Sequence, residues 1–142
     1  MDQKKKKTQE LHIFDCDGVL LDERGEILPN VKQALLLQKR EGVRMVVVSF
    51  NSSSEGLLRS ADIRDFFEEI HKDNYLSKGE LVQRIISKYI EATGVDDSSL
   101  RCAFYDDLEQ NIFSVEEFCP DVVCVEVQPL EGLLPSLLVS WE

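Results

Sequence analysis

Five short segments, Leu11–Phe14, Val43–Ser49, Phe67–His71, Arg101–Tyr105 and Val122–Val127, are rich in Val, Ile, Phe or Cys, and three of them are nearly unbroken apolar runs. A strand with one wet face alternates apolar and polar residues, whereas a continuous run suits a strand covered on both faces, as in a parallel sheet between helical layers. The stretches between the runs carry the helical period that such layers need. Val31, Ala34, Leu35 and Gln38 share one face of a helix that Asn30 is placed to cap and Gly42 to stop. From Lys78 two adjacent rows, Leu81/Ile85/Tyr89 and Val82/Ile86/Ile90, run until Gly94, and Leu108, Ile112, Val115 and Cys119 form one face of a third helix before Pro120. A weaker helix fits Ser53–Ser60, while the Leu-rich end Leu130–Val139 is interrupted by Gly132 and Pro135. The repeated βαβα order predicts an α/β fold: an open, doubly wound, mostly parallel five-stranded sheet in a three-layer αβα, Rossmann-like arrangement. Leu20–Leu28, with Glu23-Arg24-Gly25-Glu26 at its middle, is expected to form a small hairpin flap beside the end of the first strand.

A chain of 142 residues, 43% hydrophobic, has material for one core and little room for a second, so a single domain over residues 11–142 is expected after a basic flexible tail at residues 1–10. The tail carries four Lys against Asp2 and Glu10, a local +2 within a formal net charge of −11, which leaves −13 for the body. Such a field disfavours nucleic-acid backbones and anionic membranes as partners, although a local basic pocket can still hold one phosphate. Lys4–Lys7 resembles a minimal nuclear-import run, but its place before the first apolar segment fits a solvated tail better. Cys16, Cys102, Cys119 and Cys124 show no C-x-x-C spacing and read as reduced, buried thiols. With no signal-peptide core and no apolar stretch long enough to span a bilayer, a soluble, cytoplasmic protein is the expectation.

In Leu11-His-Ile-Phe-Asp-Cys-Asp-Gly-Val-Leu-Leu21, Asp15 and Asp17 stand two positions apart where the apolar run ends and Gly18 allows a sharp turn. Residues i and i+2 of an extended chain point the same way, so both carboxylates can face one reaction centre. Carboxylates that close repel unless a cation or a shared proton relieves them. A turn capped by Asp15 is the plainer alternative. Ligands of open α/β sheets bind beyond the carboxyl ends of the strands, and other polar groups stand there as well. Ser49-Phe50-Asn51 ends the second run, Asp106-Asp107 ends the fourth, and Lys78 opens a helix between them. A hydroxyl and neighbouring amides can cradle an anionic oxygen, a lysine can neutralise a phosphoryl group, and carboxylates suit Mg²⁺, a hard cation that prefers oxygen. Singly, each has a plainer reading as a helix cap or turn residue.

Taken in order, Phe14-Asp15-Cys16-Asp17-Gly18-Val19-Leu20, Val48-Ser49, Lys78 and Tyr105-Asp106-Asp107 resemble the four motifs of the haloacid dehalogenase-like superfamily of phosphohydrolases, over about residues 11–127. Ser77-Lys78 and Phe104-Tyr105-Asp106-Asp107-Leu108-Glu109-Gln110-Asn111-Ile112 look like the small magnesium-dependent phosphatases of that superfamily, from which Phe50 departs where a polar or basic residue is common. The resemblance implies a Mg²⁺-dependent phosphomonoester hydrolase of the same fold. Asp15 would be the nucleophile that forms an aspartyl-phosphate, and Asp17 the general acid and base. Ser49, Asn51 and Lys78 would bind the phosphoryl group. Asp15, Asp107 and the backbone carbonyl of Asp17 would hold the metal, with Asp106 and Asn111 orienting ligands or waters behind them. Cap domains of the superfamily enter after the first motif or between the second and third. Here 32 positions separate Asp17 from Ser49 and 29 separate Ser49 from Lys78, intervals already filled by core elements, so a capless, open site is implied. The expected partner is a phosphorylated small molecule or an exposed phosphoryl group on a protein.

Three rivals were weighed on the same residues. A phosphotransfer receiver domain has its acidic pair early and its lysine late, which is the wrong order here. A non-catalytic phosphate-binding module would have no need of the full catalytic set. A nucleic-acid end-processing phosphatase is compatible with a capless site, and the acidic body speaks against it.

Overall fold

The computed structural model describes residues 9–72 and 75–141. Its regular elements are β1 Gln9–Phe14, α1 Val31–Arg40, β2 Arg44–Ser49, α2 Ser54–Ser60, β3 Glu69–Lys72, α3 Lys78–Thr93, β4 Leu100–Asp106, α4 Glu109–Phe118 and β5 Val123–Glu126, with short 3₁₀ turns at Arg64–Phe66, Asp97–Ser99 and Pro135–Leu137. The five strands form one sheet in the order β3-β2-β1-β4-β5, and every neighbouring pair is parallel. Order reverses between β1 and β4, the switch point where an open α/β sheet offers a crevice.

Alternation along the strands divides the core in two. Leu11, Ile13, Val46, Val48, Cys102 and Phe104 pack with Leu81, Val82 and Ile85 of α3 and Ile112 and Val115 of α4. Phe14, Met45, Val47, Ala103 and Tyr105 pack on the other side with Val31, Ala34 and Leu35 of α1 and Leu58 of α2. The expected three layers are therefore present, and the continuous apolar runs are explained by burial on both faces. Between the first and second motifs and between the second and third, the described residues are core elements, with no inserted cap.

Several expectations need correction. Gln9 and Glu10, assigned to the tail, extend β1 and pair in register with Leu100 and Arg101, whose strand gives polar residues a backbone partner that composition does not reveal. Residues 1–8, including the Lys4–Lys7 run, lie outside the described residues. Asn30 precedes α1 but makes no side-chain cap. Instead its φ of 67° and ψ of 0°, after Pro29 and with Val31 N–H donating to the Leu28 carbonyl at 3.4 Å, make it the third residue of a type II turn. Leu108 does not join the buried face of α4; it is exposed at the helix entrance. The flap at Leu20–Leu28 closes through Asp22 N–H to Glu26 O at 2.8 Å and Leu28 N–H to Leu20 O at 3.0 Å. No helix among the described residues is long and apolar enough to cross a membrane.

Candidate active site

Strand alternation also decides which polar residues meet above the sheet. Asp15 continues the series Leu11, Ile13, and Asp106 continues Cys102, Phe104, so both carboxylates emerge on the α3/α4 side. There the first residue of α3 meets them: Lys78 Nζ lies 3.0 Å from Asp15 Oδ1 and 3.0 Å from Asp106 Oδ2. A cation at a helix N-terminus opposes the helix dipole, so this placement needs a strong local cause. A capping box supplies the backbone part, with Ser77 accepting from Glu80 N–H and Glu80 reaching back to Ser77 N–H at 3.0 Å. Gly79 supplies the packing part. Its N–H donates to Ser114 Oγ at 2.9 Å, and a Cβ there would run into the Ser114 carbonyl and Phe118, so only glycine lets α3 lie this close to α4. Lys78 is 2% exposed, its ammonium 4.9 Å from the centre of the Phe50 ring and 5.8 Å from that of Phe104.

Asp15, Asp106 and Asp107 each offer an oxygen within 4.8 Å of the others. Burial pushes the Asp15 carboxyl up to about 7, against the pull of Lys78 and with the Asp106 and Asp107 carboxylates reinforcing the rise. Asp107 is also raised, first by its own burial and then by Asp106. Burial by itself would lower the Lys78 ammonium, but the carboxylates of Asp15 and Asp106 more than reverse this and hold it above its usual range. Three carboxylates facing one ammonium leave a negative excess, which is what a divalent oxygen-seeking cation relieves. The donor set fits Mg²⁺. Asp106 is already engaged, accepting from Leu108 N–H at 2.9 Å and from Asn111 Nδ2 at 3.2 Å besides Lys78, whereas Asp107 is only partly buried and faces the opening. Gly18, at φ 82°, lies against Asp107, and a Cβ there would collide with that carboxylate.

The remaining sequence candidates sit around this centre at different depths. Asp15, Asp17, Lys78, Asp107 and Asn111 line a cleft of about 610 Å³. Asp17 is exposed, and its Oδ2 is 3.5 Å from Asn51 Nδ2, a long contact that ties the ends of β1 and β2. Ser49 has the opposite strand parity from Asp15 and faces the α2 side. It is 1% exposed, accepting from Asn51 N–H at 3.0 Å and lying 2.6 Å from Ser54 Oγ. Ser54 Oγ also lies 2.7 Å from the Asn51 carbonyl. Ser49 and Asp106 are thus buried beside the cleft, and Asn51 is half-buried next to Asp17. Missed from sequence were Gly79, Ser54, Phe50 as a partner of Lys78, and Leu108, Pro129 and Leu130 as cleft residues. The Phe50 signal was available in the alternation Val46, Val48, Phe50.

The fold and site define an open parallel α/β sheet that gathers three carboxylates and a lysine at its switch point. Residues 12–102 match the family model for the haloacid dehalogenase-like hydrolases, and the chain belongs to that family. The matched span ends before Asp106 and Asp107, which β4 nevertheless carries to the same centre. Among solved structures, the core domain of a candidate phosphoglycolate phosphatase from Streptococcus pneumoniae TIGR4 is similar at 13% identity, with 96% of this chain and 91% of that one covered and a TM-score of 0.60. A candidate β-phosphoglucomutase from Thermotoga maritima is similar at 14% identity, with 87% and 96% covered and a TM-score of 0.62. A search of curated proteins found no match.

Proposed function

We propose that this protein is a phosphatase, a Mg²⁺-dependent phosphomonoester hydrolase that works through an aspartyl-phosphate on Asp15. The observation that carries this reading is Asp15 itself: a strand-end carboxylate at the edge of an open cleft, held by Lys78 beside Asp106 and Asp107. Lys78 has three ammonium protons, two of them directed to Asp15 and Asp106, and the third serves a phosphoryl oxygen. Ser49 and Asn51 complete the phosphoryl site, the Ser49 proton being free to donate when Ser54 donates to Ser49. Asp15, Asp107 and the Asp17 backbone carbonyl would hold Mg²⁺, and bound there it would offset the repulsion between a carboxylate and a phosphate dianion. Asp106 fixes Lys78, and Asn111 in turn holds the Asp106 carboxylate.

In the first step an Asp15 oxygen bonds to phosphorus as the ester P–O bond breaks, and Asp17 gives its proton to the departing alcohol. In the second, Asp17 takes a proton from water, whose oxygen attacks the same phosphorus, releasing inorganic phosphate and the Asp15 carboxylate. The exposure of Asp17 leaves it open to both the departing alcohol and the attacking water. The nucleic-acid alternative draws no support from the opening, where Asp22 and Glu23 add further negative charge.

The test is a panel of phosphomonoesters assayed with Mg²⁺ and with EDTA. Hydrolysis that EDTA abolishes and Mg²⁺ restores is expected. Asp17→Asn should slow an alkyl ester by roughly 10²–10⁴-fold, and an aryl ester with a good leaving group by less. Equal losses, with dephosphorylation shown not to limit either, would remove Asp17 from the acid role.

A further inference from the structure

The cleft has two unlike halves. Its floor is ionic: Asp15, Lys78 and Asp107. The wall beside that floor is apolar, built from Phe50, Leu108, Leu130, Leu28, Pro29 and Pro129. Phe50 is 42% exposed, Leu108 46% and Leu130 89%, and three large apolar side chains left open around one mouth form the kind of patch that marks a binding surface.

The wall is held in place. Leu130 belongs to a segment fixed at both ends, with Val127 N–H donating to Asp106 O at 2.9 Å, Gly132 N–H to Gln128 O at 2.8 Å and Leu133 N–H to Val19 O at 2.8 Å. Leu133 is fully buried beneath it. Leu108 is set by its own N–H, which donates to Asp106 Oδ1, so the group that braces Lys78 also turns Leu108 toward the cleft.

Charge restricts the occupant further. Among the described residues lining the cleft Lys78 is the only cation, and it already faces two carboxylates, while Asp17, Asp22 and Glu23 stand at the opening. A second anionic group on the substrate would find no partner there and three carboxylates nearby.

We propose that the leaving group of the substrate is apolar, an aromatic ring or comparable hydrocarbon linked through oxygen to the phosphoryl group, and that it carries no carboxylate. This rests on the phosphatase reading above and adds the half of the substrate which that reading leaves open. Phe50, Leu108 and Leu130 are then the specificity-determining residues. The fold likeness to a candidate phosphoglycolate phosphatase does not extend to that acidic substrate.

The experiment compares kcat/KM of the full chain with Mg²⁺ for benzyl phosphate, ethyl phosphate and 2-phosphoglycolate, three primary alkyl esters that differ in what lies beyond the ester oxygen. Benzyl phosphate should exceed ethyl phosphate by about tenfold or more, the usual effect of filling an apolar subsite, and phosphoglycolate should fall below both. Leu130→Ala and Phe50→Ala should each shrink the benzyl-to-ethyl ratio several-fold, and Glu23→Lys should raise the phosphoglycolate rate relative to ethyl phosphate. Leu130 is so exposed that its truncation leaves the fold intact, which keeps the ratio readable if Phe50→Ala does not fold. Equal kcat/KM for all three esters overturns the leaving-group assignment and leaves the phosphatase reading standing; no turnover of any of them overturns both. Equal rates together with a dimer in sedimentation that Leu130→Asp dissociates would assign the wall to a second copy of the chain instead.

Discussion

On neighbouring strands β1 and β4 the protein carries two buried polar clusters, one on each face of the sheet. Toward α3 and α4, Asp15 and Asp106 share the Lys78 ammonium at 3.0 Å each. Toward α1, Tyr105 Oη lies 2.9 Å from His12 Nδ1 and accepts from Val139 N–H at 2.9 Å, while Gln38 Nε2 lies 3.0 Å from the same His12 nitrogen. The first cluster is charged, holds more carboxylates than cations even before Asp107 is counted, and opens to a cleft. The second is sealed: burial pushes the His12 imidazole down to about 4, so it is neutral, and His12 and Tyr105 are fully buried. A buried polar cluster that only builds structure is expected to be neutral and nearly satisfied. An unbalanced one has the charge to take up a cation, and it is the unbalanced cluster that sits at the strand ends.

The largest expected effect breaks the charged cluster chemically while sparing its shape. Asp15→Asn keeps the volume of the side chain and one acceptor for Lys78 but cannot form a stable phosphorylated intermediate. Turnover should drop on the order of 10⁴-fold or more, with the circular dichroism spectrum unchanged. Substantial Mg²⁺-dependent activity in this variant would move the nucleophile elsewhere.

Next comes the cation. Lys78→Met retains the aliphatic length against Phe50 and Phe104 but strands Asp15 and Asp106 in the interior, and removing one side of a buried ion pair costs about 3–5 kcal/mol. The loss should be greater at pH 8 than at pH 5 in denaturant unfolding. At the lower pH Asp15, already raised to about 7 with Lys78 present, takes up a proton and escapes the penalty. A loss independent of pH would mean that packing, rather than charge, holds Lys78 in place.

How far this contrast could be read from the sequence differs between its two halves. The charged half was legible because strand-end positions are marked by where apolar runs stop, and Asp15, Asp106, Asp107 and Lys78 all fall at such stops. Alternation even separates Asp106 from Asp107, since Asp106 shares the parity of Phe104 and so meets Lys78. The neutral half was illegible. His12, Gln38 and Tyr105 lie inside elements, 26 and 93 positions apart from His12, and their polar atoms meet only after α1 packs on the sheet. Asn30 and Leu108 failed for a local reason: a type II turn and an aspartate-bound loop overrode the capping and periodicity that the sequence displayed.

The neutral cluster makes a prediction of its own in pH. A histidine whose folded value is about 4 against an ordinary 6.5 binds fewer protons folded than unfolded between those values. Its contribution to stability is therefore complete above pH 6.5 and is lost as pH falls toward 4, by about 3 kcal/mol over the window. The nearest carboxylate, Glu10, is 3.7 Å from His12 Nε2, a nitrogen with no hydrogen-bond partner among the described residues. His12→Asn keeps an acceptor near the Nδ1 position and removes the titration. The difference in unfolding free energy between the wild type and this variant should slope across pH 4–6.5 and be flat above it. A flat difference throughout would show that the imidazole is charged or solvated in the folded protein.

The smallest effect should come from Tyr105→Phe, and it asks whether the two clusters are independent. Tyr105 N–H and C=O stay in place in this variant, including the Tyr105 carbonyl that accepts from Asp15 N–H at 2.9 Å, so the strand pairing under the active site is untouched. What is lost is the hydroxyl that Val139 N–H donates to and that meets His12 Nδ1, where Gln38 still offers a partner. A backbone N–H left without its acceptor costs about 1–3 kcal/mol when buried, and the half-buried Val139 N–H should fall at or below the low end of that range. The cost should be read in chemical denaturation, and hydrogen exchange should locate it at Val139, with kcat/KM changed by less than about twofold. A large fall in kcat/KM at full stability would show that the face behind β1 positions Asp15 as well, and would join two clusters that the sheet otherwise keeps apart.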